Sequence, residues 1–180
     1  RPRGPPRRRY TGPMTCPPAV LIDDGQGLLH PLVDLRPSFA VRSGALTTRE
    51  RLTRALGLHI EALWVRDALV DMARARPGEP PVNDLPMGDS PVLLINGRMV
   101  MPDAKVASLR PGQSLIEDRT GHLVACVCSR AEARAVLTGA APHPPAIDVL
   151  APGTLMSRPW HVRSTRDAGI VAILDRRVEI

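Results

Sequence analysis

Apolar residues along this chain fall into short unbroken runs and into helix-spaced stripes, and the two kinds alternate. Ala19-Val-Leu-Ile22 is the first run; it ends in Asp23-Asp24 and predicts a buried strand over residues 19–23. Thr47-x-x-Glu50 then has capping-box spacing, in which the hydroxyl accepts from an N-terminal amide and the carboxylate reaches back. Leu52, Ala55 and Leu56 supply an apolar helical stripe, and Gly57 suits a left-handed helix end. Residues 61–65 predict a second strand, and Leu69, Val70 and Ala73 predict a second helix over residues 66–75. Residues 76–91 hold five prolines and predict a loop.

Val92-Leu-Leu-Ile95 is apolar throughout, the mark of a strand buried on both faces. A short strand is expected at residues 99–101. Residues 114–116 and 122–128 read as a hairpin about the turn-rich 117–121. Ser129-x-x-Glu132 is a second capping box, opening a helix that stops at Thr138-Gly139. After the proline-rich 141–145, a last helix is expected over residues 167–174. Strand–helix–strand–helix opens an α/β domain, a mixed and mostly parallel sheet with flanking helices.

The connection from Gly25 to Gly44 is 20 residues long, far more than an ordinary strand-to-helix loop, and such connections are usually functional or disordered. Its glycines and prolines suggest an ordered backbone, and Arg36 and Arg42 are cations for it to aim. Backbone N–H groups and guanidinium forks both suit phosphate. Asn96-Gly97-Arg98 is the second place to look, because ligands of open α/β sheets sit at strand carboxyl ends.

Composition narrows the picture. Hydrophobic residues make up 43% and charged residues 23%, as in an ordinary globular protein with a core of its own. No apolar run approaches a membrane span and no signal-like stretch follows the N-terminal basic residues, so no membrane partner and a cytoplasmic location are expected. The net charge is +6, but Arg1, Arg3, Arg7, Arg8 and Arg9 carry five of those charges. Residues 1–18, rich in Pro and Arg, are expected to be a disordered tail, with one domain over 19–180. The near-neutral remainder and the four aromatics, Tyr10, Phe39, Trp64 and Trp160, argue against nucleic acid as a partner. Cys126 and Cys128 share a strand face among apolar neighbours and read as buried small hydrophobes rather than a zinc pair.

In this order of elements, Pro31, Leu32, Arg36, Pro37, Arg42, Gly44, Leu46 and Thr47 stand where a Pro-Leu…Arg-Pro…Arg-x-Gly-x-Leu-Thr pattern asks. Leu94-Ile-Asn-Gly97 and Arg158-Pro-Trp160 follow in turn. The chain thereby resembles the N-terminal domain of sugar nucleotidyltransferases related to bifunctional N-acetylglucosamine-1-phosphate uridylyltransferase. The resemblance implies a Rossmann-like nucleotide-binding domain of the glycosyltransferase-A type. It also implies a left-handed β-helix of hexapeptide repeats in a longer chain, through which homo-oligomers form.

The implied chemistry is attack of a sugar-1-phosphate oxygen on the α-phosphate of a nucleoside triphosphate, with release of pyrophosphate. It calls for backbone donors, cations to meet the developing charge, and Mg²⁺ held by carboxylates. Under that resemblance Asp24, Gly25, Gln26 and Gly27 bind nucleotide phosphate or ribose, Arg36 and Arg42 grip phosphate as the catalytic cations, Asn96 and Gly97 hold substrate, and Asp23 holds the metal. The sequence departs from the pattern where Gly25-Gln-Gly27 shortens the glycine loop, Val33 replaces Thr, and Asn96-Gly97-Arg98 replaces a metal-binding Gly-Asp. Asn is a poorer ligand than a carboxylate for a hard cation, and Arg98 would repel it. The alternative is a catalytically silent module that binds a nucleotide sugar for an adjoining acyltransferase domain. The plainer readings are a simple turn at Gly25–Gly27, surface ion pairs at Arg36 and Arg42, and a turn cap at Asn96.

Overall fold

The computed structural model describes residues 16–175. The strands are β1 (Ala19–Ile22), β2 (Arg42–Ser43), β3 (Leu46–Thr47), β4 (Ile60–Trp64), β5 (Val92–Asn96), β6 (Gln113–Glu117), β7 (Leu123–Cys128) and β8 (Ala146–Leu150). The helices are α1 (Thr48–Leu56), α2 (Val70–Arg74), α3 (Ala104–Ala107), α4 (Arg130–Leu137), α5 (His161–Ser164) and α6 (Arg166–Asp175). Single 3-10 turns at Ser38–Ala40 and Asp67–Leu69 complete them. The tail expected over residues 1–18 lies, up to residue 15, outside the described residues.

Six strands form one sheet in the order β4-β1-β5-β7-β6-β8, and β2 and β3 make a separate hairpin. β1 is parallel to β4 and β5, β6 is parallel to β8, and β7 is antiparallel to both its neighbours. Five strands therefore share one direction and β7 is reversed among them. This is the expected mixed, mostly parallel α/β sheet with flanking helices, consistent with a Rossmann-like domain.

The unbroken apolar runs follow from burial on both faces. Ala19, Leu21, Leu93 and Ile95 face a cluster with Leu52 of α1, Leu58 and Leu69. Val20, Ile22, Val92, Leu94, Cys126 and Cys128 face the other side, where Ala133 of α4 packs. Each such leucine or isoleucine contributes about 1.5–3 kcal/mol. The two cysteines are free, buried and on one face. The neighbouring Cys128 thiol, and then burial, push the Cys126 thiol up, so it is an inert core residue.

Both capping boxes are formed. Glu50 N–H donates to Thr47 Oγ1 at 3.1 Å and Thr47 N–H donates to Glu50 Oε2 at 2.7 Å. Ser129 and Glu132 repeat the exchange at 2.9 and 3.3 Å. Gly57 closes α1 in the left-handed region, at φ 63°.

The long Gly25–Gly44 connection is held by a small core of its own: Leu29, Val33 and Val41 pack with Val100 and Met156. Arg51, buried in α1, donates to the Val100 carbonyl at 2.8 Å and to the Ser43 carbonyl. One side chain thus ties α1 to the β2–β3 hairpin and to the chain beyond β5.

Two expectations change. Residues 99–101 form no strand; Met99 N–H closes a turn onto the Asn96 carbonyl at 3.0 Å, and Met99 makes one isolated bridge to Leu155. The proline-rich break is followed by a strand, β8, that its pattern conceals, because at this sheet edge Ile147 and Val149 are exposed and Leu150 is buried.

Candidate functional site

Because β4, β1 and β5 are adjacent and parallel, the residues following them collect at one edge of the sheet. These are Asp23 and Asp24 after β1, Val65 and Arg66 after β4, and Asn96, Gly97 and Arg98 at the end of β5. β7 runs the other way, so its beginning, His122-Leu123, reaches the same edge.

Two arginine–carboxylate pairs organise these groups. Arg98, only 1% exposed, lies across Asp24 with Nε 2.9 Å from Oδ1 and Nη2 2.7 Å from Oδ2. Asn96 Nδ2 donates to Asp24 Oδ2 at 2.7 Å, and Gln26 N–H donates to Asp24 Oδ1 at 3.0 Å. Burial acts to raise the Asp24 carboxyl, but the hydrogen bonds and charge of Arg98, with Asn96 and Gln26, hold it below the usual carboxylate range. Asp23 is met by Arg66 Nε at 2.9 Å on Oδ2 and by Ser38 N–H at 3.2 Å on Oδ1. Arg66 Nη2 also donates to the Val33 carbonyl at 2.6 Å, fixing the long connection over the sheet edge.

His122 is part of the same network. Arg98 Nη2 lies 3.0 Å from its Nδ1. A guanidinium can only donate, so Nδ1 is the acceptor and the ring proton sits on Nε2. Arg98 Nη1 donates to the Met156 carbonyl at 3.1 Å, and Asn96 Nδ2 also reaches the Leu123 carbonyl at 2.8 Å.

The glycines are explained by crowding. Gly97 N–H donates to the Ile22 carbonyl at 2.7 Å, and an added Cβ would stand 2.9 Å from that oxygen and from Phe39. At Gly25, with φ +66°, a Cβ would meet Arg66 Cδ at 2.9 Å. Gly27 lies against the backbone of Ser157, whose carbonyl accepts from Leu28 N–H at 3.0 Å.

Above this edge opens a cavity of about 700 Å³, within the range of small-molecule sites. Asp23, Asp24, Gln26, Arg66, Asp67 and Asn96 are its polar lining toward the sheet edge. Trp64, Leu123, Val136 and Leu137 form an apolar wall that ends at Thr138 and Gly139, past the last turn of α4. A second cavity of about 610 Å³ lies between α1, α2 and the start of β4 and includes none of the carboxyl-edge groups.

Of the residues singled out in the sequence, Asp23, Asp24, Gln26 and Asn96 come together here. Gly25 and Gly97 pack behind them. Arg36 is exposed and makes no hydrogen bond to the described residues. Arg42 Nη1 donates to the Ala45 carbonyl at 2.9 Å within the β2–β3 hairpin, and neither arginine lines the cavity. Sequence reasoning passed over Arg66, Trp64 and His122. The rule that pointed to Asn96 would have found the first two, since Trp64-Val65-Arg66 ends another parallel strand.

The carboxylates do not fit a divalent cation. Asp24 accepts four hydrogen bonds, the full complement of its two oxygens, and Asp23 is paired to a guanidinium. Among the described residues no group of three or more His, Cys, Asp or Glu could hold a metal ion. No helix among them is long and apolar enough to cross a membrane.

The family model described as sugar nucleotidyl transferase matches residues 19–172, nearly the whole described chain. No curated protein gives a match.

Proposed function

The chain belongs to the sugar nucleotidyl transferase family, and on that premise we propose that it binds a nucleoside triphosphate in the carboxyl-edge cavity and transfers its nucleotidyl group to a sugar-1-phosphate. The carrying observation is the cavity itself, whose lining joins apolar residues to polar ones from the ends of three parallel strands. The apolar lining suits a base: Trp64, Leu123, Val136 and Leu137 all border the cavity. The polar lining suits phosphate, through Arg66 and Gln26.

In the transfer, an oxygen of the sugar phosphate bonds to the α-phosphorus, the bond from that phosphorus to the β-phosphate oxygen breaks, and pyrophosphate leaves. The protein's contribution is to hold the two phosphates in line and to meet the charge that spreads over the leaving group. Arg36, exposed on the connection that Arg66 pins at Val33, is the added cation we assign to the leaving pyrophosphate. No step is assigned to a metal ion.

A second reading is favoured by the saturation of Asp24. A carboxylate fully occupied by Arg98, Asn96 and Gln26 suits a module that holds a nucleotide sugar without turning it over, serving an adjoining acyltransferase domain. The two readings separate in one experiment. The chain is incubated with each common nucleoside triphosphate and a panel of sugar-1-phosphates, and pyrophosphate is measured. Release with one pair supports the transferase; calorimetric binding of a nucleotide sugar without release supports the module. Neither release nor binding rejects both.

A further inference from the structure

The two carboxylates that nucleotidyl transfer would give to a divalent cation are both complemented by arginine, and the arginines differ in what they have left to offer. Arg98 is spent. Its Nε and Nη2 hold Asp24, Nη2 also reaches His122 Nδ1, and Nη1 holds the Met156 carbonyl. Being 1% exposed, it cannot swing aside without leaving an acid, a ring nitrogen and a carbonyl short of a donor. A cation approaching Asp24 would find no vacant lone pair and a fixed positive charge in its place.

Arg66 is only partly spent. Nε is committed to Asp23 and Nη2 to the Val33 carbonyl, but Nη1 makes no hydrogen bond to the described residues. Its side chain is 30% exposed and lines the cavity. Its stem is packed against Gly25, where a Cβ would touch Cδ. The side chain is thus held at three points, and in a residue that borders the cavity one nitrogen is left without a partner among the described residues. That is a preorganised donor for an anionic oxygen, with little side-chain entropy left to lose on binding.

We propose that this cavity takes the phosphate groups of its nucleotide without a divalent cation, Arg66 Nη1 donating to a phosphate oxygen and Arg98 standing where the cation would otherwise neutralise Asp24. The inference rests on the reading that a nucleotide occupies the cavity, and it adds the residue and the charge that receive it. Asp23 then acts as a positioning residue, holding the Arg66 plane.

The test is calorimetric titration of the full chain with UTP, ATP and UDP-glucose, each in buffer containing magnesium chloride and in buffer containing EDTA. The expected result is that a probe which binds does so with dissociation constants agreeing within about threefold in the two buffers. Mn²⁺ titrated alone, followed by its electron paramagnetic resonance signal, should show no bound fraction. Arg66→Met should weaken the probe roughly ten- to a hundredfold, as expected for loss of a charged hydrogen bond. Binding that appears only with magnesium overturns this inference and leaves the proposed function standing. So does bound Mn²⁺ that is lost in Asp24→Asn. No binding of any probe in either buffer overturns both. If Arg66→Met fails to fold, the comparison of magnesium with EDTA decides alone.

Discussion

The guanidinium of Arg98 lies across the carboxylate of Asp24 and joins residues 74 apart in sequence through two hydrogen bonds of 2.9 and 2.7 Å. The pair gives the sheet edge a definite pH response. Because the folded state holds the Asp24 carboxyl below its usual range, the pair stabilises the fold above the unfolded value of about 3.9. That stabilisation is lost as pH falls through the folded value. Asp24→Asn leaves Arg98 buried without its counter-ion and should cost about 3–5 kcal/mol in urea unfolding at neutral pH. The gap to wild type should begin to narrow as pH falls past about 3.9, where the unfolded carboxyl takes up its proton, and should close only below the lower folded value. A gap that stays constant into acid would dismiss this account.

Gly97→Ala tests the close approach of β1 and β5. The new methyl would stand 2.9 Å from the Ile22 carbonyl and from Phe39, which is 2% exposed and has no room to turn. Overpacking of this kind costs about 1–3 kcal/mol. The urea midpoint should fall with its slope unchanged. Nucleotide affinity should fall too, because Asn96 moves with the strand. An unshifted midpoint would show that the strands part freely.

Trp64 can be watched directly. The chain has two tryptophans, and Trp160 is 65% exposed and is not among the residues lining the cavity. Trp160→Phe leaves Trp64 as the sole indole, and stacking of a base on it should quench its fluorescence. The quench should saturate with the same dissociation constant that calorimetry gives. Binding without any change in fluorescence would place the base elsewhere.

Arg36 and Arg42 should separate cleanly. Arg36 is exposed and makes no hydrogen bond to the described residues, so Arg36→Ala should leave stability within about 0.5 kcal/mol. Its turnover should nonetheless fall at least tenfold, or about 1.4 kcal/mol of transition-state stabilisation. Arg42 is engaged with the Ala45 carbonyl, and its charge helps hold the Glu50 carboxyl low, after the Thr47 backbone and side chain. Arg42→Ala should therefore loosen the hairpin while turnover holds. Equal activity of Arg36→Ala and wild type would remove Arg36 from the chemistry.

Much of the fold was legible because its signals are local. Each capping box lies within four residues, and the apolar runs of β1 and β5 have no polar break to confuse their period. β8 was hidden because an edge strand needs few buried residues. The 3-10 turn at Ser38–Ala40 was hidden because Asp23, fifteen residues back, accepts its Ser38 N–H, and the β2–β3 hairpin because its strands are two residues each and lean on Arg51 of α1. The site was half legible. Asp23, Asp24 and Asn96 were found from their place after strands. That the acids were already paired could not be seen, since the pairing brings together residue 23 with 66 and 24 with 98.

The reversal of β7 has a bearing on how the chain finds its fold. β6 and β7 are joined by a short turn, and the β5–β7 pairing closes a shorter loop than the β1–β5 pairing does. β1 must close a far longer loop to dock beside β5, and the entropic cost of closure rises with loop length. On that argument Arg98 and His122 are expected to meet before Asp24 joins them. Substitutions at Asp24 are therefore expected to hasten unfolding while barely slowing folding, whereas substitutions in the β6–β7 turn slow folding itself. On this route the charged centre of the cavity is among the last contacts to form, and its closure marks arrival at the native state.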